Sequence, residues 1–148
     1  MLYEKDFLAW TQQQSELLRQ GRWQEVDLDH LVQELDGMGK SNHRELESRL
    51  VVLIAHLLKW EFQLNQLQDQ WKEFDGRSWR KTIIEQRIQF ERLMEDRPSL
   101  SSYFDTTLQQ AFPTALKLVY KENQLPPSTF SQECHYSSEQ LLDEDFLP

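Results

Sequence analysis

The chain has 148 residues, of which 39% are hydrophobic and 11% aromatic, so it is long and apolar enough for a packed core and is not a disordered segment. Four glycines and five prolines are too few for the many tight turns of an all-β fold. The net charge of −9 disfavours broad binding to nucleic-acid phosphates or to anionic membranes.

The cysteine content and the apolar runs limit the classes of protein further. The single cysteine, Cys134, excludes an intramolecular disulfide and the multi-cysteine zinc motifs. The N-terminal residues lack the order of a signal peptide, and the longest apolar run, 51–58, is too short to cross a bilayer. We therefore expect a cytoplasmic protein with no membrane span, no cofactor and no metal.

The first predicted helix covers about residues 7–20. Asp6 precedes its first apolar residue and is a suitable N-cap, because its carboxylate can accept a hydrogen bond from a free backbone N–H. Gly21 follows the last turn, where a glycine commonly ends a helix in the left-handed conformation. Its apolar positions repeat at helical spacing.

A second helix is predicted to begin after Asp27 or Asp29. Its apolar residues occupy one helical face. They are Leu28, Leu31, Val32, Leu35 and Met38. Gly37 and Gly39 interrupt this pattern, so the helix is expected to end there.

A third helix is predicted to begin at Ser41 or Asn42 and to run to about Phe62. Its apolar residues cover most of its circumference, which is typical of a helix surrounded by other helices. We therefore expect it to be the central element. A polar connection, 64–77, is predicted to follow, with Trp71 and Phe74 as possible anchors on the core.

The remaining segments predict two further long helices. Ser78 is expected to cap a fourth helix over about 79–96, which ends before Pro98 because a residue preceding proline avoids the helical region. Ser99 is then expected to cap a fifth helix over about 100–123. Pro113 is expected to kink that helix, and Leu125-Pro126-Pro127 is expected to end it.

The C-terminal residues predict a short helix and a packed tail. Ser137 and Gln140 have capping-box spacing, which predicts a turn of helix at 138–142. Aromatic and aliphatic residues in this tail favour its packing on the rest of the chain. The sequence thus predicts an all-α fold over 1–148 as one domain: a compact bundle of about five helices with a central apolar helix and a C-terminal tail packed on the bundle.

Polar residues fall on the apolar faces of the third and fourth predicted helices. They are Arg49, His56, Arg80, Arg87 and Glu91. Charges that face a core are costly unless they are paired. They could form a structural ion-pair network, line a ligand or partner site, or be exposed if the helical phase is shifted. The sequence leaves these alternatives open.

Three functions are compatible with these patterns. The first is a protein-interaction module that binds another protein or a copy of itself, because no catalytic constellation is present and the charge is unevenly distributed, with no Lys or Arg after Lys121. The second is an enzyme or small-ligand protein that uses the polar cluster, with arginines as anion anchors. The third is nucleic-acid binding through Arg77–Lys81, which the acidic net charge disfavours.

The combination of motifs along the whole chain resembles the family of domains of unknown function numbered twenty-nine, met mainly in cyanobacterial genomes. The residues that carry the resemblance are Tyr3, Asp6-Phe7, Trp10, Glu45-Leu46, Ser48-Arg49-Leu50, His56-Leu57-Leu58-Lys59-Trp60, Ser78-Trp79-Arg80, Thr82-Ile83, Gln86-Arg87, Pro98-Ser99-Leu100, Cys134, Tyr136, Gln140-Leu141-Leu142-Asp143, Phe146 and Pro148. The resemblance implies a compact all-α bundle and implies no activity. Ser131 and His135 stand where the family pattern often has proline.

Overall fold

A computed structural model describes residues 1–123 and 130–148. Within these two ranges the secondary structure is helical without strands, so the predicted all-α class is confirmed. The α-helices are α1 (Leu2–Lys5), α2 (Phe7–Arg19), α3 (Leu28–Gln70), α4 (Arg77–Asp96), α5 (Phe104–Asn123) and α6 (Ser138–Leu142). Two 3₁₀ helices span Trp23–Glu25 and Pro98–Tyr103. The stop expected at Leu125-Pro126-Pro127 lies outside the described residues.

Contacts divide the chain into two compact units, Met1–Ser41 and Asn42–Pro148. The first contains α1, α2 and the beginning of α3, and the second contains the remainder of α3 with α4, α5 and α6. In the described part of the chain, no helix is long and apolar enough to cross a membrane.

Both ends of α2 agree with the sequence prediction to within one residue. The Asp6 carboxylate accepts a 3.0 Å hydrogen bond from the Ala9 backbone N–H, as an N-cap does. Gly21 has a φ of 69°. The Arg22 N–H then donates back to the Leu17 carbonyl over 2.9 Å, which is the hydrogen bond of a Schellman C-cap. Local capping chemistry therefore fixes α2.

Helix α3 is unbroken over 43 residues, so the expected end at Gly37 and Gly39 and the expected start at Ser41 or Asn42 are wrong. An interior glycine costs about 1 kcal/mol relative to alanine but does not by itself end a helix. The glycines with positive φ are elsewhere, Gly21 after the last turn of α2 and Gly76 at the N-cap of α4. The helix also continues beyond Phe62, into the segment predicted to be a polar connection.

The second unit has α3 at its centre, as predicted. Seven α3 side chains in this unit have no exposed surface, and each such aliphatic burial contributes about 1.5–3 kcal/mol for the larger residues. They are Leu46, Leu50, Leu53, Ile54, Ala55, Leu57 and Leu58. The same core includes Phe90 of α4 and Phe104 of α5. Aromatic residues of α4 and α5 thus share one core with the apolar residues of α3.

Helix α4 begins earlier than predicted because Ser78 is not its cap. Gly76 occupies the N-cap position with a φ of 70°, and Asp75 accepts a 3.0 Å hydrogen bond from the Arg77 N–H. Ser78 lies inside the first turn. Of the two aromatic residues expected to anchor the connection, Phe74 packs edge-on against Trp79 with ring centroids 5.1 Å apart, whereas Trp71 is exposed.

Gly76 is expected to tolerate no side chain. Gly76→Ala should lower the free energy of unfolding by roughly 1–3 kcal/mol, because left-handed backbone strains an L-residue. A Cβ built there would also lie 2.8 Å from side-chain atoms of Leu64 and Trp60. Urea unfolding followed by circular dichroism measures this loss. The matched control is Gly37→Ala, where a Cβ meets nothing within 4 Å. That change should be neutral or stabilising by up to about 1 kcal/mol, and an equal loss at both positions would contradict the prediction.

The segment before α5 also differs from the prediction. Ser99 lies inside the 3₁₀ helix Pro98–Tyr103 and the α-helix starts only at Phe104, so Ser99 is not its cap. Pro98 stands at the start of that 3₁₀ helix, where a missing N–H has no consequence. Helix α5 continues through Pro113, which removes one hydrogen bond to the preceding turn.

The C-terminal tail folds as predicted. Ser137 Oγ accepts a 3.1 Å hydrogen bond from the Gln140 N–H, and Gln140 Oε1 accepts one of 2.9 Å from the Ser137 N–H. This complete capping box starts α6. Three tail residues are buried in the core of the second unit: Phe130, Tyr136 and Leu141.

Candidate functional site

Arg87 is buried on the inner face of α4, with 5% of its surface exposed. Its guanidinium donates three hydrogen bonds to backbone carbonyls of the tail: Nε to Leu141 at 3.0 Å, Nη1 to Phe146 at 2.8 Å and Nη2 to Gln140 at 3.1 Å. Gln140 and Leu141 lie at the end of α6, where carbonyls have no partner within the helix. Arg87 therefore serves as a C-terminal cap for α6 and holds the tail on α4.

A groove of about 460 Å³ opens beside Arg87. Its other lining residues are Phe90, Glu91, Met94, Glu95, Leu142 and Glu144. Burial lowers the pKa of Arg87, and the nearby Asp143 carboxylate acts in the opposite direction. An arginine nevertheless keeps its charge at neutral pH. Three tail carbonyls already accept hydrogen bonds from the Arg87 guanidinium. Arg87 is therefore a structural contact and is less suited to binding an anion in the groove.

The other members of the predicted polar cluster are dispersed. Arg49 pairs with Glu45 one turn earlier on α3 over 3.0 Å, and Arg80 is exposed on α4. His56 is half-buried on α3. The groove is thus lined by two of the five residues, Arg87 and Glu91, and not by the other three. Arg87 and Glu91 have the spacing of a helical ion pair, but the Arg87 hydrogen bonds go to carbonyls.

His56 makes one hydrogen bond within α3. Its Nδ1–H donates a 2.7 Å hydrogen bond to the Val52 carbonyl one turn earlier. Burial is the largest influence on the His56 pKa and lowers it, because the charged form loses water; the Val52 hydrogen bond acts in the opposite direction, and the neighbouring Lys59 lowers the pKa further. The same Lys59 forms an ion pair with Glu122 of α5. His56 is thus part of the α3 packing surface next to α5.

The His56 environment predicts a pH dependence of stability. Because the folded-state pKa lies below the unfolded value of about 6.5, the unfolded chain binds more protons as the pH falls. The contribution of His56 to the free energy of unfolding is complete above the unfolded-state pKa and is lost as the pH falls through the folded-state pKa. We expect urea unfolding at pH 5 and 8 to differ less for His56→Gln than for the unchanged chain. An identical pH dependence of both would contradict the assignment.

Sequence reasoning missed a second attachment of the tail, at Glu61 of α3. One carboxylate oxygen, Oε2, accepts hydrogen bonds from Tyr136 Oη at 2.5 Å and from His135 Nε2 at 2.8 Å. Burial and the Glu61 hydrogen bond raise the Tyr136 pKa, so the phenol stays protonated as a donor. About 75 residues separate the partners, and no local pattern could have indicated this contact.

Cys134 lies next to this attachment and has an inert environment. Its thiol is half-buried and donates a 3.5 Å hydrogen bond to the Tyr136 carbonyl. Burial raises the Cys134 pKa, which disfavours the nucleophilic thiolate. Across residues 1–123 and 130–148, no group of three or more His, Cys, Asp or Glu side chains is placed to hold a metal ion.

The first unit is organised around Trp10. Its ring is 3% exposed and its Nε1–H donates a 3.0 Å hydrogen bond to Asp27 Oδ2, which also bonds His30 Nδ1 at 2.7 Å. Tyr3 stacks on His30 with ring centroids 3.9 Å apart and donates its hydroxyl hydrogen bond to Glu34. The pKa of Asp27 is lowered, mainly by the His30 hydrogen bond. An aromatic and polar cluster thus joins α1 and α2 to the start of α3.

The start of α3 carries an exposed apolar face, which we call the α3 stripe. Its members and their exposed fractions are Leu28 at 64%, Val32 at 48%, Leu35 at 58% and Met38 at 62%. Apolar residues at this helical spacing usually face a core. Here they lie on the surface, beside Asp29, Asp36 and Lys40, which line a shallow depression.

The family model described as "Domain of unknown function DUF29" matches residues 2–147. The chain belongs to this family. The resemblance of its motifs to that family is thereby confirmed, and no curated protein and no solved structure matches the chain. Because the DUF29 match covers both compact units, the α3 stripe is part of the DUF29 domain and not an appendage to it.

Proposed function

We propose that this DUF29 domain is a protein-interaction module and that the α3 stripe is its binding surface for a helix of the partner. The observation that carries the proposal is the exposure of Leu28, Val32, Leu35 and Met38 at regular helical spacing. Leaving a leucine in water instead of burying it forgoes about 1.5–3 kcal/mol. A partner that covers the stripe would recover that free energy.

The distribution of exposed apolar residues along the chain also supports the α3 stripe as the binding surface. Among the described residues, nine large hydrophobic side chains are exposed within residues 1–41 and six within the longer remainder. Scattered exposed apolar residues are ordinary, whereas a contiguous row of them marks an interaction site. A helix laid along the stripe would place its own apolar residues between these side chains.

The polar cluster supports a ligand-binding function less well. The groove beside Arg87 has the volume of a small-molecule site. The Arg87 guanidinium, however, already donates hydrogen bonds to three carbonyls. Nucleic-acid binding through Arg77–Lys81 also has less support. Arg77 pairs with Asp75 and Lys81 lies 3.9 Å from Glu85, so this basic run is partly neutralised by its neighbours.

Site-specific photo-crosslinking in the native host tests the proposal. A photoreactive residue at Leu35 should give a covalent adduct on illumination, and the same residue at Gly37, exposed on the opposite side of α3, should give much less. The mass of the adduct identifies the partner as a second copy or as another protein. Equal labelling at both positions, or no adduct at Leu35, would contradict an interaction through the stripe.

A further inference from the structure

We infer that the occupant of the α3 stripe is the same stripe of a second DUF29 chain, packed antiparallel about a twofold axis. This inference rests on the proposed function and adds the identity and direction of the partner. An interface between two copies about a twofold axis uses the same surface on both chains, so that surface must be complementary to itself. The pattern of residues on α3 meets this requirement in both its shape and its charge.

The helical face through Leu28, Val32 and Leu35 of the stripe is self-complementary in shape when it is extended to Gly39, and Met38 lies to one side of it. Leu28, Val32, Leu35 and Gly39 fall within an arc of about 60° on the helix, at successive spacings of four, three and four residues. Because this order is the same from either end, an antiparallel copy sets Leu28 opposite Gly39 and Val32 opposite Leu35. A Cβ built on Gly39 meets nothing within 4 Å, so this position leaves room for the opposing leucine.

Two of the three charges named beside the stripe, Asp29 and Lys40, follow the same twofold symmetry. Asp29 and Lys40 lie on the same flank of the helix, about 20° apart in angle and about 16 Å apart along the axis. In the antiparallel arrangement Lys40 of each chain lies near Asp29 of the other, which forms the pair twice. In a parallel twofold arrangement this flank of each helix lies on the opposite side of the interface from the same flank of the other, so neither pair of Asp29 and Lys40 forms. The charges therefore select the antiparallel direction.

Sedimentation equilibrium at physiological ionic strength measures the association. The unchanged chain should sediment with twice its 17.8 kDa mass, and Leu35→Asp should sediment with the mass of one chain. Ile84→Asp, which introduces the same charge at an exposed position on α4, should leave the dimer intact. A monomeric unchanged chain at concentrations up to about 1 mM would overturn the inference.

Charge exchange tests the direction of packing. Asp29→Lys and Lys40→Asp should each raise the dimer dissociation constant by at least about tenfold, because each change affects two symmetric contacts. An equal mixture of these two variants should dimerise nearly as well as the unchanged chain, since opposite charges then face each other at both ends. Asp29→Lys also reduces the net negative charge of each chain. If only general repulsion between the chains mattered, this variant would lower the dimer dissociation constant, which is the opposite of the increase expected here. A dimer insensitive to both changes would overturn the antiparallel packing.

The outcomes separate this inference from the proposed function. A monomeric chain whose Leu35 position crosslinks to a different protein would overturn self-association and leave the interaction function standing. A monomeric chain with no adduct at Leu35 would overturn both. A dimer that is lost in Leu35→Asp and recovered in the mixture of charge variants supports both.

Discussion

Replacing Arg87 with methionine is expected to lower the free energy of unfolding by roughly 3–5 kcal/mol. Methionine preserves much of the aliphatic packing of the buried side chain and removes all three donors. The carbonyls of Gln140, Leu141 and Phe146 then lose their partners. Each unpaired buried acceptor costs about 1–3 kcal/mol, and partial access of water to the tail reduces the sum. Urea unfolding measures the loss, and hydrogen exchange of residues 138–148 should show release of the tail.

Two comparisons make the Arg87 prediction specific. Arg80→Met and Arg92→Met alter exposed arginines of the same helix and should change stability by less than about 0.5 kcal/mol. Arg87→Lys keeps the charge but loses the planar fork, so it should retain only part of the stability. If Arg87→Met cost no more than Arg80→Met, the three hydrogen bonds would have no role in holding the tail.

The elements that the sequence predicted well are those fixed by contacts between near neighbours. Asp6 and Gly21 bound α2, and Ser137 with Gln140 starts α6; each of these residues acts on backbone groups within a few positions of itself. The central, mostly apolar part of α3 was also predictable, since hydrophobic residues around most of a helix require neighbours on most sides. Local chemistry and periodicity were sufficient in these cases.

The helix boundaries that were wrong involve competing local signals. Gly37 and Gly39 have low helical propensity, but an unbroken chain of backbone hydrogen bonds on both sides retains them in α3. Ser78 is a good cap by residue type, yet the left-handed Gly76 turns the chain two residues earlier. Residue preferences for helix interiors and caps rank these residue types correctly. They do not say which of two neighbouring residues sets the helix boundary.

The candidate site was predictable only in part. Periodicity placed Arg87 on the buried face of α4, and it is buried. Its partners are carbonyls more than 50 residues away in the sequence, and backbone acceptors leave no pattern in side-chain identity. The same holds for Glu61 and its partners in the tail. The α3 stripe is the converse case, because its spacing is visible in the sequence while its exposure depends on what the folded chain leaves uncovered.

Replacing Trp10 with alanine is expected to remove most of the ordered structure of the unit Met1–Ser41. Truncating a buried tryptophan costs about 3–5 kcal/mol. Trp10 is the buried hydrophobic residue of this unit, where it packs edge-on against Tyr3 at 4.9 Å and bonds Asp27. A unit with so small a core has little stability in reserve, so its amides should exchange at nearly unfolded rates. Hydrogen exchange of Phe7–Arg19 measures this loss of protection.

Two further variants divide the Trp10 contribution into its parts. Trp10→Phe keeps an aromatic ring but loses the indole N–H donor to Asp27 and part of the buried ring, so it should cost less than Trp10→Ala, about 2–3 kcal/mol, and leave α2 protected. Trp23→Ala removes an exposed tryptophan of the same unit and should leave the protection unchanged. Because Asp27 immediately precedes α3, losing its indole partner should also fray the turn that carries Leu28. Trp10→Ala should therefore weaken crosslinking at Leu35 as well, and unchanged protection of α2 in that variant would show that the aromatic cluster does not organise the unit.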